Sequence, residues 1–412
     1  MVLEKEQLIK QYEQIKAKGL RLDMSRGKPG FDVVELSSDM LKLPKATNCK
    51  SADGLTDYRN YGILDGIPEA KALFAPMLGV ATSETIIGDN SSLAMMYDSV
   101  ARAMLFGVGE SYKPWNKQKI KFLCPVPGYD RHFTICETFG IEMLPIPTDE
   151  NGPDMDLIEE LVNGEDGESI KGVWCVPIYA NPTGITYSDN IVRRFAQMKT
   201  KAEDFRIFWD CAYIVHHLTD AHDSLLNILD ECKKAGVPER VYMFSSTSKI
   251  TFPGAGVAIM AASEKNIAFT KKHLGVRTIG GDKLNQLRHV QFLKDFDNLQ
   301  NHMKLIQRVL APKFDAVVEI LEKELAPYNL GKWHTPKGGY FISFDGNPQT
   351  AKKTVQLCKE AGVIMTDAGA TFPYGNDPDD KNIRIAPTFP PLSELVQAME
   401  VFCISVKLAN VK

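Results

Sequence analysis

The sequence predicts an α/β protein with a largely parallel central sheet. Short apolar runs occur through the middle of the chain, and most of them are separated by helical or loop segments. Each run is too short for a helix, and this alternation is typical of parallel strands that are buried on both faces. We therefore expect a large α/β domain at 46–300 and a smaller α+β domain built from both termini, 1–45 and 301–412. The runs lie at 121–124, 173–178, 206–209, 241–244 and 257–261.

The first hundred residues are predicted to be mainly helical. Residues 2–18 have apolar side chains at helical spacing, and Gly19 ends the pattern. The Gly/Pro-containing loop SRGKPG follows at 25–30. Helical periods return at about 66–80 and 91–107.

The C-terminal part combines helices with two short strands. Its first element is predicted to be one long helix at about 285–326, which Pro327 terminates. The remaining predictions are strands at 339–344 and 382–386, a helix between them at about 350–361, and a final amphipathic helix at about 393–409.

Composition and charge exclude several classes of protein. The 412 residues carry 48 basic and 52 acidic side chains, with no basic arm, which argues against nucleic acid as the main partner. No apolar run approaches the ~18 residues that span a bilayer, so we expect no membrane partner. Eight scattered cysteines without a CxxC motif indicate buried free thiols, and Glu4 and Glu6 do not suit a targeting peptide. We expect a cytoplasmic protein.

Polar residues follow three of the predicted strands, where the strands end. In open parallel sheets, ligands bind beyond the carboxyl ends of the strands. YANPTG follows the strand near 178, Asp210 follows the next, and SSTSK follows the strand near 244. The side chains brought to this edge are Asn181, Asp210, Tyr213, Ser246 and Lys249.

This set is compatible with pyridoxal phosphate chemistry. HExxH, GxSxG, GxGxxG and GxxxxGK[ST] motifs are absent from the sequence, and we expect no metal. Lys249 can form a Schiff base with an aldehyde cofactor, and Asp210 can pair with a pyridinium nitrogen. Tyr213 and Asn181 can hydrogen-bond the phenolate oxygen of the cofactor.

The phosphate and the ring of such a cofactor need their own partners. A helix that begins near Ser91 and Ser92 offers backbone N–H groups and hydroxyls to a phosphate. PGYDRH, at 127–132, offers Tyr129 as an apolar face for the ring. Taken singly, these features have structural explanations, since Asn-Pro-Thr-Gly is first a turn and a Tyr beside Pro-Gly often packs in a core. Their order at successive strand ends is much more specific.

With these motifs the chain resembles the class I/II aminotransferases, pyridoxal-phosphate enzymes of fold type I, and most closely the aspartate aminotransferases of subgroup Ic. The resemblance runs from about residue 20 to the C-terminus. It implies that Lys249 holds the cofactor and moves a proton between the substrate Cα and the cofactor. It also implies that Asp210 pairs with the pyridine nitrogen, that Tyr129 stacks on the ring with His132 near Asp210, and that Ser246 joins the phosphate site.

The resemblance also implies substrate contacts and a homodimer. RIAPTFP, at 384–390, resembles the motif whose arginine binds the substrate α-carboxylate, so this role falls to Arg384. SRGKPG resembles the substrate loop and places Gly27 over the same carboxylate. YGILDGIPEAK, at 61–71, resembles the segment whose tyrosine contacts the phosphate of the partner subunit, which makes Tyr61 a cofactor contact across a shared active site.

Two positions depart from the family pattern. Many members have a phosphate-binding arginine about eight residues after the lysine, but here that stretch is ITFPGAGVA. The arginine for a distal substrate carboxylate has no clear counterpart; Arg277 is the candidate and Arg288 a weaker one. We expect transfer of an amino group from aspartate to 2-oxoglutarate by ping-pong chemistry. The alternatives are an aromatic or alanine aminotransferase, a β-lyase with the same cofactor, or a non-catalytic cofactor-binding regulator.

Overall fold

A computed structural model describes residues 4–88 and 90–411 and confirms the predicted α/β architecture. The central sheet has eight strands in the order β2-β9-β8-β7-β6-β3-β4-β5. Its five inner strands run parallel, and the edge strands β2, β9 and β5 pair antiparallel. The strands of the chain are β1 Leu22–Asp23, β2 Thr85–Ile87, β3 Lys121–Val126, β4 Glu142–Asp149, β5 Gly152–Pro153, β6 Ile170–Cys175, β7 Arg206–Asp210, β8 Val241–Ser246, β9 Ala258–Ala262, β10 Gly331–Trp333, β11 Ile342–Gly346, β12 Val363–Ile364 and β13 Asn382–Ile385.

Helices cover both faces of this sheet. Successive residues of each strand enter opposite cores: Val173 and Cys175 of β6 pack into one cluster, and Trp174 packs into the other. The helices are α1 Lys5–Lys16, α2 Phe31–Glu35, α3 Pro68–Leu78, α4 Ser92–Phe106, α5 Asp130–Thr138, α6 Met155–Asn163, α7 Asp189–Gln197, α8 Ile228–Lys234, α9 Glu264–Arg277, α10 Lys283–Leu293, α11 Phe296–Glu324, α12 Ala351–Glu360 and α13 Leu392–Asn410.

Two further sheets lie outside the central one. Strands β10, β11 and β13 form an antiparallel sheet, and β1 pairs with β12 in parallel. A separate hydrophobic cluster joins residues 8–24 to residues 314–408, whereas Val33 packs with the core of the central sheet. Helix α11 contributes to both clusters. The domain limits at residues 46 and 300 stay a prediction.

Two predicted elements need correction. The long helix expected at 285–326 is two helices, α10 and α11, because Lys294 adopts a left-handed backbone conformation with φ of 64°. The strand expected at 173–178 begins three residues earlier, since β6 spans Ile170–Cys175 and its apolar continuation is a buried loop.

All eight cysteines are buried free thiols, as predicted. No helix in the described part of the chain is both long and apolar enough to cross a membrane.

A buried ion pair links strand β6 to the loop that precedes β7. Lys171 of β6 donates from Nζ to Oδ1 of Asp204 at 2.6 Å, and the indole of Trp115 donates to the other carboxylate oxygen at 3.0 Å. Removing one partner of a buried pair leaves an uncompensated charge away from water. We expect Asp204→Asn to lower the free energy of unfolding by about 3–5 kcal/mol, measured by urea unfolding.

The matched control is Asp166→Asn. Its carboxylate pairs with Lys121 of β3 at 2.8 Å but is 70% exposed, so water replaces the lost partner. Equal effects of the two substitutions on urea unfolding would contradict the prediction.

Candidate active site

The carboxyl ends of the inner strands meet at one cavity of about 710 Å³. Strands β3, β6, β7 and β8 are neighbours and parallel, so the loops that follow them lie along the same edge of the sheet. Loops from the rest of the chain close the other side. Seven residues predicted from the sequence line this cavity: Gly27, Ser91, Tyr129, Asn181, Tyr213, Lys249 and Arg384.

A buried carboxylate lies at the end of β7. Asp210 is 3% exposed, and its Oδ1 accepts a hydrogen bond from the backbone N–H of Ala212 at 3.2 Å. Nε2 of His132 lies 3.2 Å from the other carboxylate oxygen. The imidazole ring is held in place by stacking on Trp174, with ring centroids 4.4 Å apart. The expected proximity of His132 and Asp210 is confirmed.

Lys249 presents an amine to the cavity beside two tyrosine rings. Its Nζ lies 5.0 Å from the ring centre of Tyr213 and 5.9 Å from that of Tyr340. Among the described residues, this nitrogen has no hydrogen-bond or ion-pair partner. Desolvation lowers the pKa of the Lys249 ammonium, and the negative charge of Asp210 opposes part of this effect. The lowered pKa makes the neutral, nucleophilic form of this amine more accessible than that of an exposed lysine.

The hydroxyls expected around a phosphate lie at the start of helix α4 and at the end of strand β8. Ser91 caps helix α4, and its Oγ accepts a hydrogen bond from the N–H of Ala94 at 3.3 Å. Ser92, the first residue of that helix, is buried. Ser246 ends β8 and donates to Oγ of Ser248 at 2.9 Å. Only Ser91 of the three predicted serines lines the cavity itself.

Arg384 lies opposite these groups, on strand β13 of the three-stranded sheet. It is buried, and its Nε and Nη2 both donate to Oγ1 of Thr366 at 3.3 Å. Nη1 donates to Oδ1 of Asn181 at 3.2 Å and to Oδ1 of Asp130 at 3.0 Å. The guanidinium also lies 4.8 Å from the ring centre of Phe341.

Gly27 packs against the same phenylalanine ring. A Cβ at this position would lie 2.3 Å from Cζ of Phe341, so any side chain would displace the ring that supports Arg384. This close approach explains why glycine occupies the position. It also places the SRGKPG loop beside the guanidinium.

Sequence reasoning missed several residues of this cavity. Asp130 belongs to the motif that provided Tyr129 and His132, but its own role had no signal in the sequence. Thr366 lies in a loop without a motif. Arg26, Lys28 and Arg131 also line the cavity and add positive charge at its mouth.

Two predicted residues lie away from this cavity. Tyr61 is 80% exposed and lines a surface groove with residues 278–284. Arg277 ends helix α9 next to that groove and forms an ion pair with Asp98 at 3.0 Å. The weaker candidate, Arg288, donates from Nε to the carbonyl oxygen of Leu43 at 2.8 Å.

The cavity combines a desolvated amine and a buried carboxylate at the carboxyl edge of a parallel sheet with a buried arginine from the three-stranded sheet, a set of groups suited to an enzyme that acts on carboxylate substrates. Over residues 3–412 the chain matches the family described as aspartate amino-transferase. It belongs to this family and is an aminotransferase, as the sequence predicted.

Relatives and solved structures agree with this assignment. The aspartate aminotransferase of Corynebacterium glutamicum is 44% identical over 405 residues, which cover 98% of this chain and 93% of that protein. A crystal structure of an aspartate transaminase from the same species, 44% identical, has a TM-score of 0.95 and coverage of 98% and 95%. LysN, an α-aminoadipate aminotransferase from Thermus thermophilus complexed with N-(5′-phosphopyridoxyl)-L-leucine, has a TM-score of 0.75 at 20% identity and coverage of 97% and 95%, a similarity of fold alone.

The lowered pKa of Lys249 predicts selective labelling by a small reagent. Cyanate reacts with neutral amines, so in cofactor-free protein at pH 7 we expect carbamylation of Lys249 to be faster than that of Lys265, which lies on the surface. Peptide mass spectrometry over time measures both rates.

Asp210→Asn should accelerate the labelling of Lys249 further, because it removes the charge that raises the pKa of this amine. A rate at Lys249 no greater than that at Lys265 would contradict the lowered pKa of Lys249.

Proposed function

We propose that this aminotransferase uses pyridoxal 5′-phosphate to transfer the amino group of aspartate to 2-oxoglutarate. The observation that carries the proposal is the cavity that joins Lys249 to Arg384 and five other residues predicted for this chemistry. The similarity to proteins named aspartate aminotransferase supports the choice of substrate.

The groups present fit pyridoxal phosphate. Asp210 is a buried carboxylate suited to a protonated ring nitrogen, and Lys249 offers an amine without an ion-pair partner among the described residues. Tyr213 and Asn181 offer donors for a phenolate oxygen. Tyr129 would cover the face of the ring.

The phosphate would be held at the start of helix α4. Ser91 and Ser92 provide hydroxyls beside the positive end of the helix dipole, and Ser246 approaches from β8. The stretch after Lys249 has no arginine, so this site relies on hydroxyls and backbone N–H groups.

When bound, the cofactor supplies an electron sink for negative charge that develops at the substrate Cα. Lys249, whose pKa is lowered by desolvation, would take the proton from the substrate Cα and pass it to the cofactor. Arg384 binds the α-carboxylate and fixes the Cα–H bond near Nζ of Lys249. Donor and acceptor would use the same groups in turn, which is the basis of ping-pong exchange.

We further propose a homodimer with shared active sites. Tyr61, expected to contact the partner's phosphate, and Arg277, the candidate for the distal carboxylate, lie beside the same surface groove. Lys283 lines this groove and donates from Nζ to the carbonyl oxygen of Gly62, the neighbour of Tyr61, at 3.0 Å. In the dimer, Tyr61 would contact the phosphate and Arg277 the distal carboxylate of the substrate bound to the other subunit. Eight free thiols suit a reducing compartment, so we propose the cytoplasm as the location.

The visible absorption spectrum tests the chemistry directly. We expect a yellow band in the holoenzyme that collapses on addition of aspartate and returns with 2-oxoglutarate. Lys249→Ala should keep the fold, measured by circular dichroism, and lose turnover by about 10²–10⁴-fold, because the proton carrier is gone. Lys265→Ala is the matched control.

An absorption band that does not change on addition of aspartate would reject aspartate as the donor and favour an aromatic amino acid or alanine. Release of pyruvate and ammonia without an acceptor would indicate a lyase. An active Lys249→Ala enzyme would reject the mechanism.

Mixed dimers test the shared site. Arg277→Ala should raise the KM for aspartate about 100-fold and barely change the reaction of alanine, since only aspartate has a distal carboxylate. Mixing Lys249→Ala chains with Arg277→Ala chains should then restore about a quarter of the activity on aspartate, because half of the dimers are mixed and each contains one complete site.

Arg131→Ala is the comparison variant for Arg277, because this arginine lines the cavity within its own subunit. Loss of aspartate selectivity in Arg131→Ala instead, without complementation between chains, would transfer the role from Arg277 to Arg131.

A further inference from the structure

Arg384 is already hydrogen-bonded to a carboxylate of the protein itself. Oδ1 of Asp130 accepts a hydrogen bond from Nη1 of Arg384 at 3.0 Å. Asp130 is the first residue of helix α5 and directly follows Tyr129. The pair therefore connects the central sheet, which carries α5, to the three-stranded sheet, which carries Arg384 on β13.

The two partners are held very differently. The Arg384 side chain is 6% exposed and is fixed by Thr366, Asn181 and Phe341. The Asp130 side chain is 35% exposed, and Arg384 is the only hydrogen-bond partner of its carboxylate among the described residues. Because Asp130 is more exposed and has fewer contacts than Arg384, Asp130 is the side chain that can move.

Bonded to Thr366 and Asn181, Arg384 has too few N–H donors left to bind two carboxylates fully at the same time. Nη1 serves Asp130 and Asn181, while Nε and Nη2 serve Thr366. A substrate α-carboxylate that binds the fork in bidentate fashion needs Nη1 or displaces its present acceptors. Two negative charges within hydrogen-bond reach of one guanidinium also repel each other.

We propose that Asp130 is an internal competitor for the α-carboxylate site. It neutralises the buried guanidinium when no substrate is bound and leaves Arg384 when a substrate carboxylate arrives. Asp130 is thus a positioning residue that sets the affinity for every carboxylate substrate, and it takes no part in the proton transfer. This inference rests on the proposed role of Arg384.

Succinate is the probe, because it has the carboxylates of the substrates but no amino group to transfer. We expect Asp130→Asn to bind succinate about fivefold more tightly than the unmodified enzyme, and Asp130→Ala at least as tightly, since about 1 kcal/mol of competition is removed. Isothermal titration calorimetry of the holoenzyme and of cofactor-free protein measures this. The KM for aspartate should fall by a similar factor, and kcat should stay within about twofold.

Asp367→Asn is the matched control. Asp367 lines the same cavity but does not bond Arg384, so its removal reports the general effect of one negative charge. Unchanged or weaker succinate binding in both Asp130 variants would overturn the proposal. An equal gain in succinate affinity in Asp367→Asn would overturn it as well. The gain would then come from the net charge of the whole cavity and not from the contact with Arg384.

Arg384→Lys separates this inference from the proposed function. If Arg384 binds the α-carboxylate, this variant should lose succinate binding whatever residue stands at position 130. Retained binding in Arg384→Lys would reject the role of Arg384. If Arg384→Lys loses succinate binding but the Asp130 variants do not bind succinate more tightly, only the proposed competition by Asp130 would be rejected.

Discussion

The buried negative charge of Asp210 is the constraint around which this site is built. A carboxylate at the end of the central strand β7 is stable only with compensating partners, because desolvation of an isolated charge is costly. The structure places Nε2 of His132 3.2 Å from one carboxylate oxygen and supplies the backbone N–H of Ala212 to the other. The same carboxylate moderates the pKa of Lys249, so the charge that the fold must accommodate also adjusts the nucleophile.

Much of the fold and of the strand-end chemistry could be predicted from the sequence, because parallel strands bring their carboxyl ends together whatever their order. The position of β6 could not, since Val176 and Ile178 are buried in the loop beyond it and extend the apolar run. Strand β4 contains two prolines and alternates between buried and exposed residues near the sheet edge, so it resembles a loop. The break between helices α10 and α11 at Lys294 has no proline or glycine by which it could be predicted.

The parts of the site that the sequence did not reveal are contacts between distant segments. Asp130 and Thr366 become recognisable only when β13 brings Arg384 to them. Their residue types are ordinary for a helix start and a loop. Tyr61 is exposed and Arg277 pairs with Asp98, so the contacts within this chain do not explain the roles that the resemblance implied for them.

The cavity has two walls, which the hydrogen bonds of Arg384 to Asn181 and Asp130 connect. Strand ends carry the groups for cofactor and proton transfer, whereas the wall around Arg384 is a hydrogen-bonded unit of its own. Thr366 donates to the carbonyl oxygen of Ser25 at 2.7 Å, and Thr388 donates to that of Lys28 at 2.9 Å. Buried Lys313 of helix α11 donates to the carbonyl oxygen of Thr388 at 3.2 Å and so ties this wall to the long helix. Because Arg384 also bonds Asn181 and Asp130, a change in the wall that carries Arg384 reaches residues of the wall that carries Lys249.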